Sequence, residues 1–479
     1  MERRIGRHAA RITIAAGEFW QNGPGNDCRE PDMRILLQLF FAIGLSTGAA
    51  AATAGNATTT LEWSVISDMA NTPVGASVEV NGFPAGPGVF SDMSFRRIDV
   101  YAADARIILV DAAGEHELPR SQRIHLLGYS PDGTVRVAIS FDADLKGEPY
   151  AAGSAASGPF ELRSERVADG WSMHAVKAEQ ALPPGVKLEF TANEDSLPNP
   201  SSTASPLDHL LDAQVPAGVL RNAVVAVDTD SSFMLKRFSN NSAQATAWIA
   251  DLFAQMNVMY QRDLDVNLQQ GTTFLRPGSD PFANADTSAT SAMLNEFGNY
   301  WQANYSSGGN AVSRAFAMLL SGNSNSGNSA SGIAWVDFYC RSSGSGGSYS
   351  VNQIFTNSGI GVASSAFIVG HELGHNFGAA HTHCSNASTA VYPTGTNTID
   401  RCYNGESGCY SGTVSCPTGT PDSPKGTAMS YCHVSTANCG QNVQKFAPPH
   451  ITLLRNRVAA NTPSCLTLGS DLIFANGFE

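Results

Sequence analysis

Apolar and polar positions follow one pattern up to about residue 195 and another beyond residue 221. In the first part the apolar residues come in short runs. These are Ile98-Asp99-Val100-Tyr101, Ala105-Arg106-Ile107-Ile108-Leu109-Val110, and an alternating stretch from Thr134 to Phe141 after the turn Pro131-Asp132-Gly133. Short β-branched runs bounded by turn formers predict strands, so residues 55–195 read as an all-β unit. A Pro/Ser-rich connection, 196–221, follows and includes Leu197-Pro198-Asn199-Pro200. Beyond it, Asn222–Asp228 reads as a buried strand. Ala247, Ile249, Ala250, Phe253, Ala254, Met256 and Met259 fall at helical spacing between Ala243 and Tyr260. Asp265–Leu268 reads as a strand, Ser291–Tyr305 as a second helix, and Ala315–Leu320 and Ile333–Tyr339 as strands. Strands alternating with helices predict an α/β arrangement over 222–468. The Gly/Ser/Asn-rich stretches 321–332 and 342–350 read as surface loops. Tyr349–Phe355 reads as an edge strand open to strand addition by an extended segment.

One further segment stands apart. Met33-Arg34 is followed by an apolar stretch to Leu45 and by small residues ending Ala50-Ala51-Ala52-Thr53-Ala54. A basic start, a short apolar run and an A-x-A site predict a secretory signal over 33–54. The run from Ile35 to Ala54 has the length of a membrane span, but its second half is only weakly hydrophobic. The 32 residues before Met33 read as neither domain nor signal, which makes Met33 the expected start. Cysteine usage agrees with export. Cys28 precedes the signal, and the other eight of nine lie between Cys340 and Cys465, which predicts about four disulfides.

Length and charge narrow the class. The chain has 479 residues, enough for about three units. It is 42% hydrophobic, so it can build a core. Its net charge is −13, which disfavours a nucleic-acid partner. The charge is uneven: residues 1–220 hold 17 basic and 27 acidic side chains, net −10, whereas 221–479 hold 12 and 15, net −3.

The chemistry lies at His371-Glu372-Leu373-Gly374-His375-Asn376-Phe377-Gly378-Ala379-Ala380-His381. Residues i and i+4 of a helix share a face, so His371 and His375 can offer nitrogens to one ion. Glu372 is turned by about 100° from His371, near the ion without being a ligand. Gly378 can take positive φ and turn the chain so that His381 approaches as third ligand. Three neutral histidines leave a fourth zinc position for water, the mark of a catalytic site. Glu372 would take the water proton and pass it to the leaving amine. Five fixed positions arise by chance in a chain of this length with an expectation on the order of 10⁻⁴.

Met429, within Gly426-Thr427-Ala428-Met429-Ser430-Tyr431, lies 48 residues after His381. Together with the extended histidine motif this segment resembles the Met-turn of metzincin zinc metallopeptidases. The likeness is greatest to the adamalysin/reprolysin type and covers about Leu220–Leu468. The resemblance implies a mixed, mostly parallel twisted sheet with an active-site helix and a Met-turn, an α+β or α/β catalytic domain. Met429 would form the hydrophobic floor of the site. The strand from Gly332 to Cys340 and a last helix near His450–Ala459 before Cys465 are similar to the family's, which implies a Cys340–Cys465 bridge. The other six cysteines have fifteen pairings. In the family's terms the all-β unit is a prodomain, and maturation would fall between Asn193 and Arg221, in an exposed linker of the kind proteases cut.

The chain departs from adamalysins in two places. Thr382, followed by His383 and Cys384, stands where Asp is usual. Tyr431, two after Met429, is like the astacin and serralysin tyrosine that ligates zinc or stabilises the tetrahedral intermediate; a tyrosine merely packed under the site is the equal alternative. His383 and His433 read as lying behind or outside the ligand set. Residues 55–339 hold no cysteine, so a thiolate cannot enforce latency from there. No oxygen-ligand loop stands out for calcium. The expectation is a secreted, monomeric zinc endopeptidase acting on proteins or peptides, made as a zymogen, with no membrane association after signal removal and a frayed tail at 469–479. The alternatives are a secreted zinc-binding protein without turnover and a non-peptide amide hydrolase.

Overall fold

The computed structural model describes residues 58–190, the backbone of 196–197, and residues 219–392, 397–420 and 422–469. The expected signal segment, the tail beyond 469 and most of the 196–221 connection lie outside these residues.

Ten strands precede residue 178: β1 Thr59–Glu62, β2 Ser77–Gly86, β3 Val89–Ile98, β4 Ile107–Asp111, β5 Gly114–Leu118, β6 Ile124–Tyr129, β7 Arg136–Phe141, β8 Tyr150–Ala155, β9 Gly158–Val167 and β10 Gly170–Lys177. Eight of them form an antiparallel sheet in the order β1-β10-β9-β8-β7-β6-β3-β2. Helix α1, Trp63–Asn71, interrupts the expected all-strand region and buries Ile66 and Met69. Its apolar spacing spans barely two turns, too short to stand out against a strand pattern.

The remaining hairpin, β4-β5, leaves this sheet. It joins the second sheet, where β4 runs parallel to β14, pairing Ile107–Leu109 with Thr273–Leu275. The second sheet contains β11 Glu189–Phe190, β12 Ser196–Leu197, β13 Arg221–Thr229, β14 Val266–Leu275, β15 Phe316–Ser321, β16 Ser329–Trp335, β17 Tyr349–Gln353 and β18 Thr467–Leu468. Its order is β11-β16-β17-β15-β13-β14-β4-β5, with β12 also on β16 and β18 on β13. It is a mixed sheet: β16 runs antiparallel to β17, whereas β14, β13, β15 and β17 are mutually parallel along the order.

The helices are α2 Ser231–Phe238, α3 Ser242–Leu264, α4 Ser291–Tyr305, α5 Val362–Asn376 and α6 Pro448–Ala460. Asp230, Asn241 and Thr290 cap α2, α3 and α4 by accepting from backbone N–H groups two or three residues into each helix. Helix α3 outruns its sequence pattern to Leu264, and most of its residues are buried between the sheet and α5. No helix among the described residues is long and apolar enough to cross a membrane.

Two of the loops expected from Gly and Ser content are partly strand. Ser329–Gly332 belongs to β16 and Tyr349–Ser350 to β17, all buried. The small polar side chains find partners inside: Ser331 Oγ donates to Gln353 Oε1 and accepts from Ala289 N. Composition points to solvent where close packing is what requires small residues.

The two halves share one core. Val100, Tyr101, Ile107, Leu127 and Ala138 from the first half cluster with residues of α3, α5 and the second sheet. Arg123 Nε and His125 Nε2 both reach Asp251 Oδ1 of α3, at 3.0 and 2.9 Å. Tyr150 Oη accepts from Ala363 N, in the first turn of α5, at 3.0 Å. The Glu161 carboxyl lies against Gly361, the residue before that helix.

Burial raises Glu161 from an ordinary 4.5 to about 7, with the Arg163 charge opposing. The folded state therefore holds this proton more tightly than the unfolded chain. The resulting stabilisation is complete below about pH 4.5 and is lost as pH rises through about 7. Glu161→Gln should escape that loss. Its stability relative to the parent, from urea unfolding at stepped pH, should rise by on the order of 3 kcal/mol between those limits and then level off. A difference that does not vary with pH would refute the assignment.

Candidate active site

Helix α5 carries the first two histidines and is buried along nearly its whole length. Tyr260 of α3 donates its hydroxyl to Gly370 O at 2.8 Å. At the other end, Asn376 Nδ2 donates to Trp335 O and Tyr349 O, at 2.8 and 3.0 Å, pinning the helix to β16 and β17. Asp337 N and Phe338 N donate to His375 O and Asn376 O, satisfying carbonyls that the helix end would leave open. Gly378 then takes φ +115°, a value that side-chain-bearing residues rarely adopt, and the chain doubles back to His381.

His371 Nε2 and His381 Nε2 lie 3.1 and 3.2 Å from His375 Nε2. Each far nitrogen has an acceptor at 2.7 Å: Ala428 O for His371, Ala379 O for His375 and Glu406 Oε2 for His381. A neutral imidazole has one N–H, and here each is committed at Nδ1. Three Nε2 lone pairs therefore face one another. Burial holds all three rings neutral, His371 down to about 3 and His375 well below its ordinary value, with neighbouring histidines adding to the effect. His381 is lowered by burial too, against the opposing Glu406 charge. Three converging lone pairs repel unless a cation sits among them. The spacing approaches the roughly 3.3 Å edge of a tetrahedron with metal–nitrogen bonds of about 2.0–2.1 Å, so the donor set fits zinc.

Glu372 is buried beside His371 and faces Gly332 of β16; a Cβ there would come within 2.2 Å of its Oε1. Met429 is buried beneath the helix, and a Cβ on Gly374 would meet its sulfur at 2.6 Å. Tyr431 is buried with its ring 4.3 Å from that of His381.

Two acidic residues that the sequence reading did not single out complete the surroundings. Asp400 Oδ2 accepts from Thr382 Oγ1 and from Ser430 Oγ, the latter at 2.7 Å, and so ties the residue after the third histidine to the turn around Met429. Glu406 reaches both His381 and His383. Each is a single acid in a cysteine-rich loop, and no spacing relates it to the histidine motif. His383 is fully buried behind the site. Disulfides join Cys340–Cys465, Cys384–Cys409, Cys402–Cys432 and Cys416–Cys439. The last three close loops of 23–30 residues, each worth about 3.5 kcal/mol in the chain-entropy picture.

The substrate edge differs from expectation. Strand β17, within Tyr349–Phe355, lies between β15 and β16 and has no open side. The strand bordering the site is β16, which brings Gly332 against Glu372.

Residues 220–446 match the model of metallo-peptidase family M12. They form a reprolysin-type metallopeptidase domain. A search among curated proteins found no match. The M12 match supports a zinc metalloendopeptidase, and it covers β13 through Phe446, including every residue of the histidine cluster.

Asp400→Ala should leave two buried hydroxyls in this M12 domain without their acceptor and cost about 2–4 kcal/mol. Urea unfolding measures it; a loss below about 0.5 kcal/mol would show that Asp400 holds nothing.

Proposed function

We propose that the protein is a secreted endopeptidase made as a zymogen, with His371, His375 and His381 holding one zinc ion and Glu372 as general base. The convergence of three Nε2 atoms whose Nδ1 protons are already committed carries this reading. Zinc held there supplies Lewis acidity toward a water and the substrate carbonyl. Glu372 takes the proton of the attacking water and returns it to the leaving amine. The acceptors on Nδ1 fix the rings, and Met429 floors the cavity. Tyr431, its ring tilted against that of His381, would stabilise charge on the reacting carbonyl.

Strand β16 supports the zymogen reading. Glu189–Phe190 and Ser196–Leu197 both lie parallel on it, at Ser329–Ala330 and Ala334–Trp335. Phe190 stands edge-on to His433, ring centroids 4.6 Å apart, and to Phe355 at 5.6 Å. A substrate adding to β16 must displace these residues, so latency here rests on occupation of the edge by the chain itself. The eight paired cysteines and the segment 33–54 support export.

The matured protein should cleave a denatured protein substrate, and a zinc chelator should abolish the cleavage. Glu372→Ala should retain zinc while losing on the order of 10²–10⁴-fold in kcat/KM. Zinc bound without cleavage by the parent would favour a binding protein instead. Sequencing of active secreted material should reveal a new N-terminus between residues 193 and 221; full activity in a chain starting only near residue 55 would refute the zymogen.

A further inference from the structure

The three imidazoles are not held alike. His371 and His375 give their Nδ1 protons to neutral carbonyls, but His381 gives its proton to a carboxylate, Glu406 Oε2. The same oxygen meets His383 Nε2 at 2.9 Å. The His381 and His383 rings are nearly parallel, 9° between planes and 5.2 Å between centroids. His383 Nδ1 is buried with no hydrogen-bond partner, so Nε2 is the ring nitrogen that donates to Glu406. The Glu406 loop is fastened to the histidine segment by the Cys384–Cys409 disulfide and by Tyr410 N donating to His383 O at 3.0 Å.

We propose that Glu406 is a positioning residue for the metal, acting through His381, with His383 holding its carboxylate and the Cys384–Cys409 bridge holding its loop. An anionic acceptor on the far nitrogen fixes ring rotation and tautomer and makes Nε2 a stronger donor than a carbonyl acceptor would. His381 most needs this help. It lies beyond the end of α5, on a chain that has just turned at Gly378, without the helical backbone that orients His371 and His375. A second ion between His383 and Glu406 fits less well, since Oε2 already takes two N–H groups and the Cys384 sulfur is in a disulfide.

The inference rests on the three-histidine zinc reading, and its test separates the two. Full-length protein is stripped of metal, and zinc affinity and stoichiometry are measured by competition with a chromophoric chelator. The parent should bind one zinc. Glu406→Gln keeps shape and removes charge, and should bind zinc 10–100-fold more weakly with unchanged circular dichroism and metal-free melting. The double variant Cys384→Ala/Cys409→Ala should weaken zinc in the same direction. Affinity of Glu406→Gln within twofold of the parent overturns the role of Glu406 and leaves the zinc site standing. A second zinc that disappears in Glu406→Gln makes Glu406 a ligand and overturns the proposal. A parent that binds no zinc overturns the three-histidine reading, and this inference with it.

Discussion

The arrangement of the whole second half depends on where three protons sit. Each imidazole of the cluster has its N–H drawn to an acceptor on the far side, which leaves three unshielded lone pairs, with those of His371 and His381 3.1 and 3.2 Å from that of His375. In a buried site such an assembly costs free energy by itself and becomes favourable only around a cation. The fold must impose it. It does so by burying α5 between α3 and the sheet, by anchoring that helix at Gly370 and Asn376, and by reversing the chain at Gly378.

Glycine placement makes these contacts close enough. Gly332 leaves room for the Glu372 carboxylate on β16, and Gly374 lets the Met429 sulfur rest against the helix between the two helical histidines. A methyl group at either point would collide with the part it faces. Below them, three disulfides and Asp400 convert a long irregular segment into a fixed wall, so a region poor in regular structure still holds side chains in defined positions.

What could be read beforehand follows the range of the interactions. The helical histidine pair, the glycine turn and the bounds of α4 are local patterns, and they lie where the string places them. The reprolysin-type likeness rested on the same local motif, and the family match covers it. Partners far apart in sequence were not legible, except Cys340–Cys465, which the family likeness implied and the structure contains. Glu406 and Asp400 owe their positions to disulfide closure, and no periodicity marks them. The membership of β4 and β5 in the second sheet is a pairing across more than 150 residues with nothing nearby to announce it. The first half of β16, Ser329–Gly332, reads as loop because its small side chains answer to crowding by α4 and α5, not to solvent.

That distant hairpin has a consequence for how the sheet meets other polypeptides. A sheet with an open rim can be extended by any passing strand. Here the rim beyond β14 is closed by β4 and ends on β5, a short strand bearing Glu115, His116 and Glu117 toward solvent. Short charged border strands discourage further addition. Among the described residues the opposite rim is covered by two brief pairings with β16. In the peptidase proposed above, the border offered to substrate is thus the one its own chain occupies, while the other is charged against further pairing.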